Sequence, residues 1–453
     1  MGSYLEPSKA LPIYGEYDVL VAGGGTAGLF AALGAARAGA RTLVIDRLDC
    51  LGGLLTAGLM SATVGMNDME KMVLRGIPQE FFSELQKRGG MVRHELTKEA
   101  FTFFDAESAK EVIVDLIKKE KKLEVLYYTW AADVIMEGTR VKGVIVENKS
   151  GRQAILAKTV VDATGDADIC FMANAGCRNA DPEKTHPVTL LAKVGGVNVE
   201  ALKKHYSVNP GYRTTFTRNW PVTPFLAYRI DKVLEGKQLP QELEYLRNWF
   251  ILFYETVRDG EMILNISGDT AVDGTNARSI SKAEDMSRIR IGQCLKVFKD
   301  YMPGFEQAYL INTGSTLGVR ESRQLDGRYT ITLDDLLEHK KYEDTVCVFN
   351  ALVGNHTSDG TNSKFLDIIP GQPYYLPYHC MLPKKTEGLL VAGRCISVEP
   401  AAMGGTRIMP ACMGLGQAAG VAAAISARED CRLSEIPVKK LQQELLLQNV
   451  FLG

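Results

Sequence analysis

Residues 17–47 read YDVLVAGGGTAGLFAALGAARAGARTLVIDR. Two short apolar runs, at 18–22 and 42–46, are typical of strands in a parallel sheet buried on both faces. The small residues between them predict a helix that lies close to that sheet. Gly23, Gly25 and Gly28 form a G-x-G-x-x-G turn, which lets backbone N–H groups and a helix N-terminus approach a pyrophosphate. Asp46 ends the second strand, where a carboxylate can bind ribose hydroxyls. The stretch predicts a dinucleotide-binding unit.

Three later segments indicate which dinucleotide is bound. Gly52 and Gly53 supply a second flexible turn after Asp46, with Thr56 close by. Apolar strand-like runs stop at glycine within 157–168 (AKTVVDATGDAD) and within 387–395 (EGLLVAGRC). Strand ends so far apart in the chain, when they meet one ligand, imply a long cofactor that lies across the sheet. This favours FAD, with a simple NAD-dependent dehydrogenase as an alternative.

These segments, together with PAAMGGTRIMPACMGLGQAAG at 400–420 and LGVRESRQLDG at 317–327, resemble one known family. It is the FAD-dependent oxidoreductase family related to glutathione reductase and to the fumarate reductase flavoproteins. The resemblance extends from about residue 17 to 427, and it rests on the order of the segments more than on any single one. It implies that Asp46 binds the adenosine ribose, although Glu is more usual there.

The resemblance also implies where other residues lie along FAD. Gly52, Gly53 and Thr56 belong to the pyrophosphate and flavin side, Thr164 and Gly165 to the adenosine side, Gly393 and Arg394 to the pyrophosphate and ribitol, and Gly404, Gly405 and Arg407 to the isoalloxazine. The full predicted set of cofactor-binding residues is Gly23, Gly25, Thr26, Ala27, Gly28, Asp46, Arg47, Gly52, Gly53, Thr56, Ala132, Ala163, Thr164, Gly165, Gly393, Arg394, Gly404, Gly405, Arg407 and Met409.

A second helix N-terminus supports the placement of the isoalloxazine. Pro410 suits the first turn of a helix. A helix that begins there would direct its positive end at the flavin pyrimidine ring and stabilise negative charge on reduction.

The predicted fold is α/β, with a Rossmann-type FAD-binding domain interrupted by an α+β substrate domain. Residues 1–175 and 386–453 form the discontinuous FAD-binding domain, and 176–385 form the substrate-binding domain. A parallel sheet and an antiparallel β-meander, with turns at 137–140 and 149–152, belong to the first of these. Apolar residues three and four apart predict one helix between Pro240 and Gly260 and another from a capping box at Ser281 and Glu284.

The chemistry is expected to need arginine and histidine. Arg320 and Arg323 can bind a carboxylate or a carbonyl in bidentate fashion. His356 and His379, whose ordinary pKa is near neutrality, can take or return a proton as hydride moves to or from flavin N5. These four are the predicted catalytic residues, and His186 is a weaker candidate. Ion pairs or satisfied core positions are the alternative interpretation of each.

Composition limits the partners. The 453 residues include 52 basic and 54 acidic ones, so the formal net charge of −2 argues against binding to nucleic acid or an anionic membrane. The start of the chain lacks the pattern of a signal peptide, and the apolar run 411–427 contains Gln417 and predicts a buried helix. Nine cysteines without a C-x-x-C motif predict reduced thiols in a cytoplasmic protein, with no metal site and no redox-active disulfide.

The sequence therefore predicts a cytoplasmic FAD-dependent oxidoreductase that acts on a small polar organic molecule by hydride transfer to or from flavin N5. No second G-x-G-x-x-G follows a strand and opens a helix, so the electron donor or acceptor is expected to be a separate molecule. A two-fold homo-oligomer is the commonest arrangement. A flavoprotein that modifies tRNA is the alternative function, and it would require a basic surface with exposed aromatic side chains.

Overall fold

A computed structural model describes residues 4–92, 101–209, 211, 225–247, 250–356, 363–366 and 369–453. Within these residues the strands are β1 (Ile13–Ala22), β2 (Thr42–Ile45), β3 (Ala62–Val64), β4 (Phe101–Phe103), β5 (Leu123–Leu126), β6 (Trp130–Glu137), β7 (Arg140–Asn148), β8 (Gly151–Asp162), β9 (Cys177–Asn179), β10 (Leu191–Gly195), β11 (Phe225–Arg229), β12 (Phe250–Glu255), β13 (Met262–Asn265), β14 (Tyr309–Thr313), β15 (Arg323–Leu325), β16 (Thr345–Phe349), β17 (Val353–His356), β18 (Ser363–Leu366), β19 (Tyr374–Pro377) and β20 (Leu389–Val391).

The α-helices in the same part of the chain are α1 (Thr26–Arg37), α2 (Ile77–Lys87), α3 (Ala106–Lys119), α4 (Asp168–Met172), α5 (Val199–Val208), α6 (Ile230–Val233), α7 (Ala277–Tyr301), α8 (Leu333–Leu337), α9 (Pro400–Thr406), α10 (Met409–Glu429) and α11 (Val438–Leu447).

The first sheet has the order β5-β2-β1-β8-β7-β6, and β20 also pairs with β8. Strands β5, β2, β1, β8 and β20 run parallel to one another, whereas β6 and β7 form an antiparallel meander with the first half of β8. Alternate residues of the parallel strands enter two different cores. Val19 and Val21 face the helices, and Leu20 and Ala22 face the opposite side. The predicted Rossmann-type α/β sheet with its meander is confirmed.

The second sheet is antiparallel and has the order β11-β12-β13-β10-β14. Here the helix predicted between residues 240 and 260 is wrong. A 3-10 helix covers Gln241–Arg247, and β12 then pairs with β11 on one side and β13 on the other. Aromatic and β-branched residues in FILFYE favour a strand. The helical spacing arose because buried side chains of two consecutive elements, Leu246 and Phe253 among them, happen to be spaced like one helix face.

The second predicted helix of the middle region is present as α7, but it begins earlier than expected. The side chain of Asn276 accepts hydrogen bonds from the backbone N–H groups of Arg278 and Ser279. Ser281 is instead an interior residue, and its hydroxyl donates to the carbonyl of Ala277. Asn caps a helix as effectively as Ser. The cap is Asn276 because α7 extends upstream to Ala277.

The hydrophobic core is divided into clusters that show which segments pack together. One cluster lies between residues 188 and 319 and belongs to the second sheet and α7. Residues from Ile331 to Leu382 instead pack into the same cluster as α1 and α10. The domain limits of 176 and 385 stay a prediction. The buried side chains of segment 331–382 pack into the core around the N-terminal unit.

Helix α10 crosses α1 at very short range. A Cβ atom added to Gly416 would lie 2.2 Å from the carbonyl oxygen of Ala27, and one added to Gly420 would lie 2.0 Å from that of Ala31. On the other helix, a Cβ atom at Gly34 would lie 2.8 Å from the carbonyl oxygen of Gln417. Glycine is therefore required at this crossing, because the two backbones are in direct contact.

Helix α10 is long and apolar enough to pass a composition test for a membrane span, but 94% of its most apolar window is buried inside the protein. The polar side chain of Gln417 is satisfied there: it accepts from the N–H of Ile77 at 3.1 Å and donates to Gln448 at 3.0 Å. The predicted buried helix is confirmed.

We expect Gly420→Ala to lower the free energy of unfolding by about 1–3 kcal/mol, because the new methyl group collides with the backbone of α1. Thermal or denaturant unfolding measures this change. The matched control is Gly292→Ala in α7, where an added Cβ meets nothing within 4 Å and helix propensity favours alanine. Equal stability of the two variants would contradict the importance of this crossing.

Candidate functional site

A deep cleft with a volume of about 460 Å³ lies where the ends of the parallel strands meet the second sheet. One wall consists of the turns after β1, β2, β8 and β20, together with the start of α10. The other wall includes Leu191 of β10, Leu252 and Tyr254 of β12, and Asn265 of β13. The cleft therefore brings the glycine motifs and the middle region of the chain together, although they are distant in sequence.

The first glycine turn is shaped for close approach of a ligand. Gly23 has φ +90°, and a Cβ atom there would lie 2.7 Å from the carbonyl oxygen of Ala163. Gly28 lies directly against Gly23, where an added Cβ would be 1.8 Å from the Gly23 carbonyl oxygen. By contrast, a Cβ atom on Gly25 would meet no protein atom within 4 Å, and Gly25 lines the cleft at the start of α1. The first and third glycines thus shape the turn, and the second leaves space for a phosphate.

Asp46 lies at the outer end of the cleft. Its two carboxylate oxygens accept hydrogen bonds from the backbone N–H groups of Gly24 at 2.5 Å and Leu48 at 2.7 Å. Burial raises its pKa, although these hydrogen bonds favour the charged form. Next to it, the guanidinium of Arg47 lies 5.2 Å from the ring centre of Trp130. Both side chains line the cleft and offer a surface on which an adenine could stack.

The turn after β8 is held by a buried carboxylate. Asp162 accepts hydrogen bonds from Thr164 through both its backbone N–H and its hydroxyl, and from the N–H of Cys170. Burial raises the pKa of Asp162 to about 6. Beyond this turn, Asp166 forms an ion pair with Arg394 from the end of β20. The pair fixes two of the three predicted strand ends against each other.

The inner end of the cleft carries two partly buried arginines, Arg320 and Arg407. Burial lowers the pKa of Arg320 to about 10, and burial together with the positive charge of Arg320 lowers that of Arg407 to about 9. Arg320 donates a hydrogen bond to the carbonyl of Pro187. Glu321 is near both guanidinium groups, but it accepts hydrogen bonds from the backbone N–H of His186 at 2.6 Å and from its ring Nδ1 at 2.7 Å. Burial lowers the pKa of His186, so the ring is neutral at pH 7.

Most of the predicted cofactor residues line this cleft. Those on its walls are Gly23, Gly25, Thr26, Ala27, Asp46, Arg47, Gly53, Ala163, Thr164, Gly165, Gly393, Arg394, Arg407 and Met409. The cleft walls do not include Gly28, Gly52, Thr56, Ala132, Gly404 and Gly405. Thr56 is buried and donates to the carbonyl of Leu51, which stabilises the turn from behind. Gly404 and Gly405 lie in α9, where an added Cβ at Gly405 would meet Val353 and Leu336.

The four predicted catalytic residues are not brought together. Arg320 lines the cleft, whereas Arg323 is just outside it and forms a 2.8 Å ion pair with Asp168. The ring of His379 makes a 2.6 Å hydrogen bond to Asp344 through Nδ1 and is not on the cleft wall, so it serves as a hydrogen-bond partner in this structure. The backbone of His356 pairs with Ser363 in a two-stranded ribbon, and its side chain lies outside the described residues.

Several residues that line the cleft are not among those predicted from the sequence. Trp130 is half exposed at the outer end, and its neighbours Thr129 and Ala131 line the wall where Ala132 was predicted. Tyr254 and Asn265 of the second sheet line the inner end, as does Thr189, which lies just before β10. No short motif marks the residues of the second sheet, since they reach the cleft only through strand pairing. If β12 had been assigned as a strand, Tyr254 would have been a candidate site residue.

The residues on the walls indicate what the cleft is built to hold. Gly25 leaves open space at the N-terminal end of α1, and Arg394, Arg407 and the N-terminal end of α10 line the same cleft. A long ligand with a pyrophosphate and an electron-rich ring would be stabilised by these cations and by both helix ends. The residues present therefore fit FAD.

We expect Gly25→Ala to weaken FAD binding by about 10- to 100-fold, because the methyl group occupies space that the pyrophosphate needs without touching the protein. Flavin absorbance after dialysis measures retention, and unfolding of the apoprotein measures stability. Gly292→Ala serves as the control and should retain FAD like the parent. Full retention by Gly25→Ala would place the pyrophosphate elsewhere.

Comparison with known proteins supports this assignment. A thiamine thiazole synthase from Aeropyrum pernix is 34% identical over 160 residues, which are 33% of this chain and 54% of that protein. Another, from Saccharolobus islandicus, is 28% identical over 197 residues, covering 39% of this chain and 69% of that protein. The matched region thus spans about half the length of the first relative. A geranylgeranyl bacteriochlorophyll reductase-like protein from Thermoplasma acidophilum shares the fold, with a TM-score of 0.52, 15% identity, and coverage of 96% of this chain and 84% of that one.

The family model described as FAD dependent oxidoreductase matches residues 18–445. That range contains every residue that lines the cleft. The protein therefore belongs to the FAD dependent oxidoreductase family, with FAD as its cofactor.

Proposed function

We propose that this enzyme transfers hydride between flavin N5 and a small organic substrate that carries a negative charge, such as a carboxylate. The observation that supports the charge of the substrate is the pair of partly buried, neighbouring arginines at the inner end of the cleft, Arg320 and Arg407. Bound FAD supplies the two-electron chemistry there. The protein's own contribution is to bind the substrate, orient it and exclude water.

The charge balance at the inner end favours an anion. Two neighbouring guanidinium groups without full compensation are costly to bury. Arg394 is paired with Asp166, and Arg323 with Asp168, whereas Arg320 and Arg407 share the charge of a single carboxylate among the described residues, that of Glu321, which also accepts hydrogen bonds from His186. One positive charge is left over, and an anionic group would balance it. The electron-rich edge of the flavin suits Arg407, next to the start of α10, and a substrate carboxylate suits Arg320 beside the second sheet.

Neutral polar groups complete the substrate side. Burial raises the pKa of Tyr254 to about 12, so its phenol stays protonated at pH 7 and acts as a hydrogen-bond donor. Asn265 lies within hydrogen-bonding reach of that phenol, and both residues line the cleft. We assign them to hold an oxygen or nitrogen atom at the reacting carbon, while Leu191 and Leu252 exclude water from the same wall.

The electron partner in this proposal is a separate molecule, and the location of the enzyme is cytoplasmic. The separate electron partner is inferred from the single G-x-G-x-x-G unit, and the cytoplasmic location from the nine cysteines without a C-x-x-C motif. The match to thiamine thiazole synthases covers about a third of this chain, so it does not support a proposal of thiazole synthesis.

The experiment is a screen of small carboxylates against their methyl esters, with anaerobic flavin reduction and perturbation of the flavin band as the measurements. We expect carboxylates to bind or react and their esters to fail. Arg320→Met should weaken this response by about 10- to 100-fold, because it removes one charge-assisted interaction, while FAD stays bound.

Arg290→Met is the matched control, because Arg290 is a largely buried arginine of the same region that pairs with Asp269 at 3.0 Å and does not line the cleft. Its response should equal that of the parent. If esters and carboxylates act alike, or if Arg320→Met and Arg290→Met behave identically, the anionic substrate is ruled out. Loss of FAD from Arg320→Met would instead assign that arginine to the cofactor.

A further inference from the structure

Two cysteines lie side by side next to the cofactor cleft. The Sγ atoms of Cys170 and Cys177 are 2.9 Å apart. Cys170 lies in α4, and Cys177 opens β9, so six residues separate them in the sequence CFMANAGC. A C-x-x-C motif is absent, and the sequence analysis accordingly predicted no redox-active disulfide. The fold nevertheless places these two thiols in direct contact.

Both cysteines are held by their backbones. The N–H of Cys170 donates to the buried carboxylate of Asp162 at 2.9 Å. Cys177 pairs with Leu325 in the small sheet of β9 and β15. The turn between them bends back through Asn174, which has φ +50°, and Gly176, which has φ +90°. The contact between the sulfur atoms is therefore a consequence of fixed backbone elements.

The two thiols differ in reactivity. Cys170 is buried, whereas Cys177 is half-buried. The hydrogen bond between the two sulfur atoms and, to a smaller extent, the positive charge of Arg323 lower the pKa of Cys177. The hydrogen bond to Cys177 and burial raise the pKa of Cys170. A half-buried thiol whose pKa is lowered, in contact with a buried partner thiol, is the arrangement in which one cysteine attacks and the other resolves.

The pair is linked to the cofactor turn through one carboxylate. Asp162 binds Cys170 through one oxygen and Thr164 through the other. Thr164, Gly165 and Asp168 line the cleft, and Asp168 is the first residue of α4. A covalent bond between the sulfur atoms would join α4 to β9 directly behind this wall.

We propose that Cys170 and Cys177 form a reversible disulfide, a redox-sensitive modification site beside the FAD cleft. The oxidant is a small soluble disulfide. The Cys177 thiolate attacks one of its sulfur atoms, which gives a mixed disulfide and releases one small thiol. Cys170 then loses its proton to solvent and attacks the Cys177 sulfur, which releases the second small thiol. Two protein thiols are oxidised and one small disulfide is reduced to two thiols, so the exchange balances.

This site is independent of the proposed substrate and needs no turnover. The holoenzyme is incubated with oxidised glutathione, free thiols are blocked with N-ethylmaleimide, and the products are measured by intact mass and peptide mapping. We expect the oxidised protein to carry two fewer alkylated thiols than the nine of the reduced chain, with a disulfide mapped to Cys170 and Cys177. Dithiothreitol should restore both thiols.

Two variants keep the test decisive. Cys170→Ala should stop at the mixed disulfide on Cys177, because no resolving thiol remains. Cys431→Ser is the control. Cys431 is also half-buried, but its carbonyl accepts a hydrogen bond from Ser426 of α10 and not from α4. This variant should still form the disulfide. The proposal is overturned if Cys170 and Cys177 are both alkylated after oxidation. It is equally overturned if either pairs with Cys395, whose buried thiol lies close enough to influence that of Cys170.

Discussion

The direct backbone contact between α1 and α10 is the constraint on which the cofactor cleft depends. The two helices come from opposite ends of the chain, and glycines at the crossing let their backbones touch. Because the helices are locked together, the turn at Gly25 and the start of α10 at Met409 open on the same cleft. Two partial positive charges then face one ligand from two directions. The turns after β8 and β20 occupy the space between them, since both strands are adjacent in the sheet.

The two walls of the cleft have different physical characters. The wall of glycine turns is made of backbone held by ion pairs such as Asp166 with Arg394, and it tolerates little change in shape. The wall from the second sheet is made of side chains, which can be exchanged without disturbing the strand pairing behind them. The proposed function therefore assigns substrate recognition to the second wall. The partly buried Arg320 and Arg407 line the same cleft.

Features that depend on neighbouring residues could be predicted from the sequence, whereas features that depend on contacts between distant segments could not. The turn with Gly23, Gly25 and Gly28 was predictable because close backbone contacts require the first and third glycines, and the second leaves space for a phosphate. The segment 240–260 was misassigned because helix-like spacing came from two short elements, and because β12 is stabilised by pairing with strands elsewhere in the chain. Arg323 and His379 were chosen for their chemistry, but their carboxylate partners, Asp168 and Asp344, are identified only by proximity in space.

Local composition was thus enough to indicate the cofactor, the strand ends that meet it and the burial of α10, because glycine turns and apolar runs act through nearby atoms and backbone sterics. The membership of the second wall, the charge surplus at Arg320 and Arg407, and the contact of Cys170 with Cys177 came from the folded chain alone. These features join residues on separate elements, and their distances depend on how sheets and helices pack together. No spacing along the chain encodes such distances.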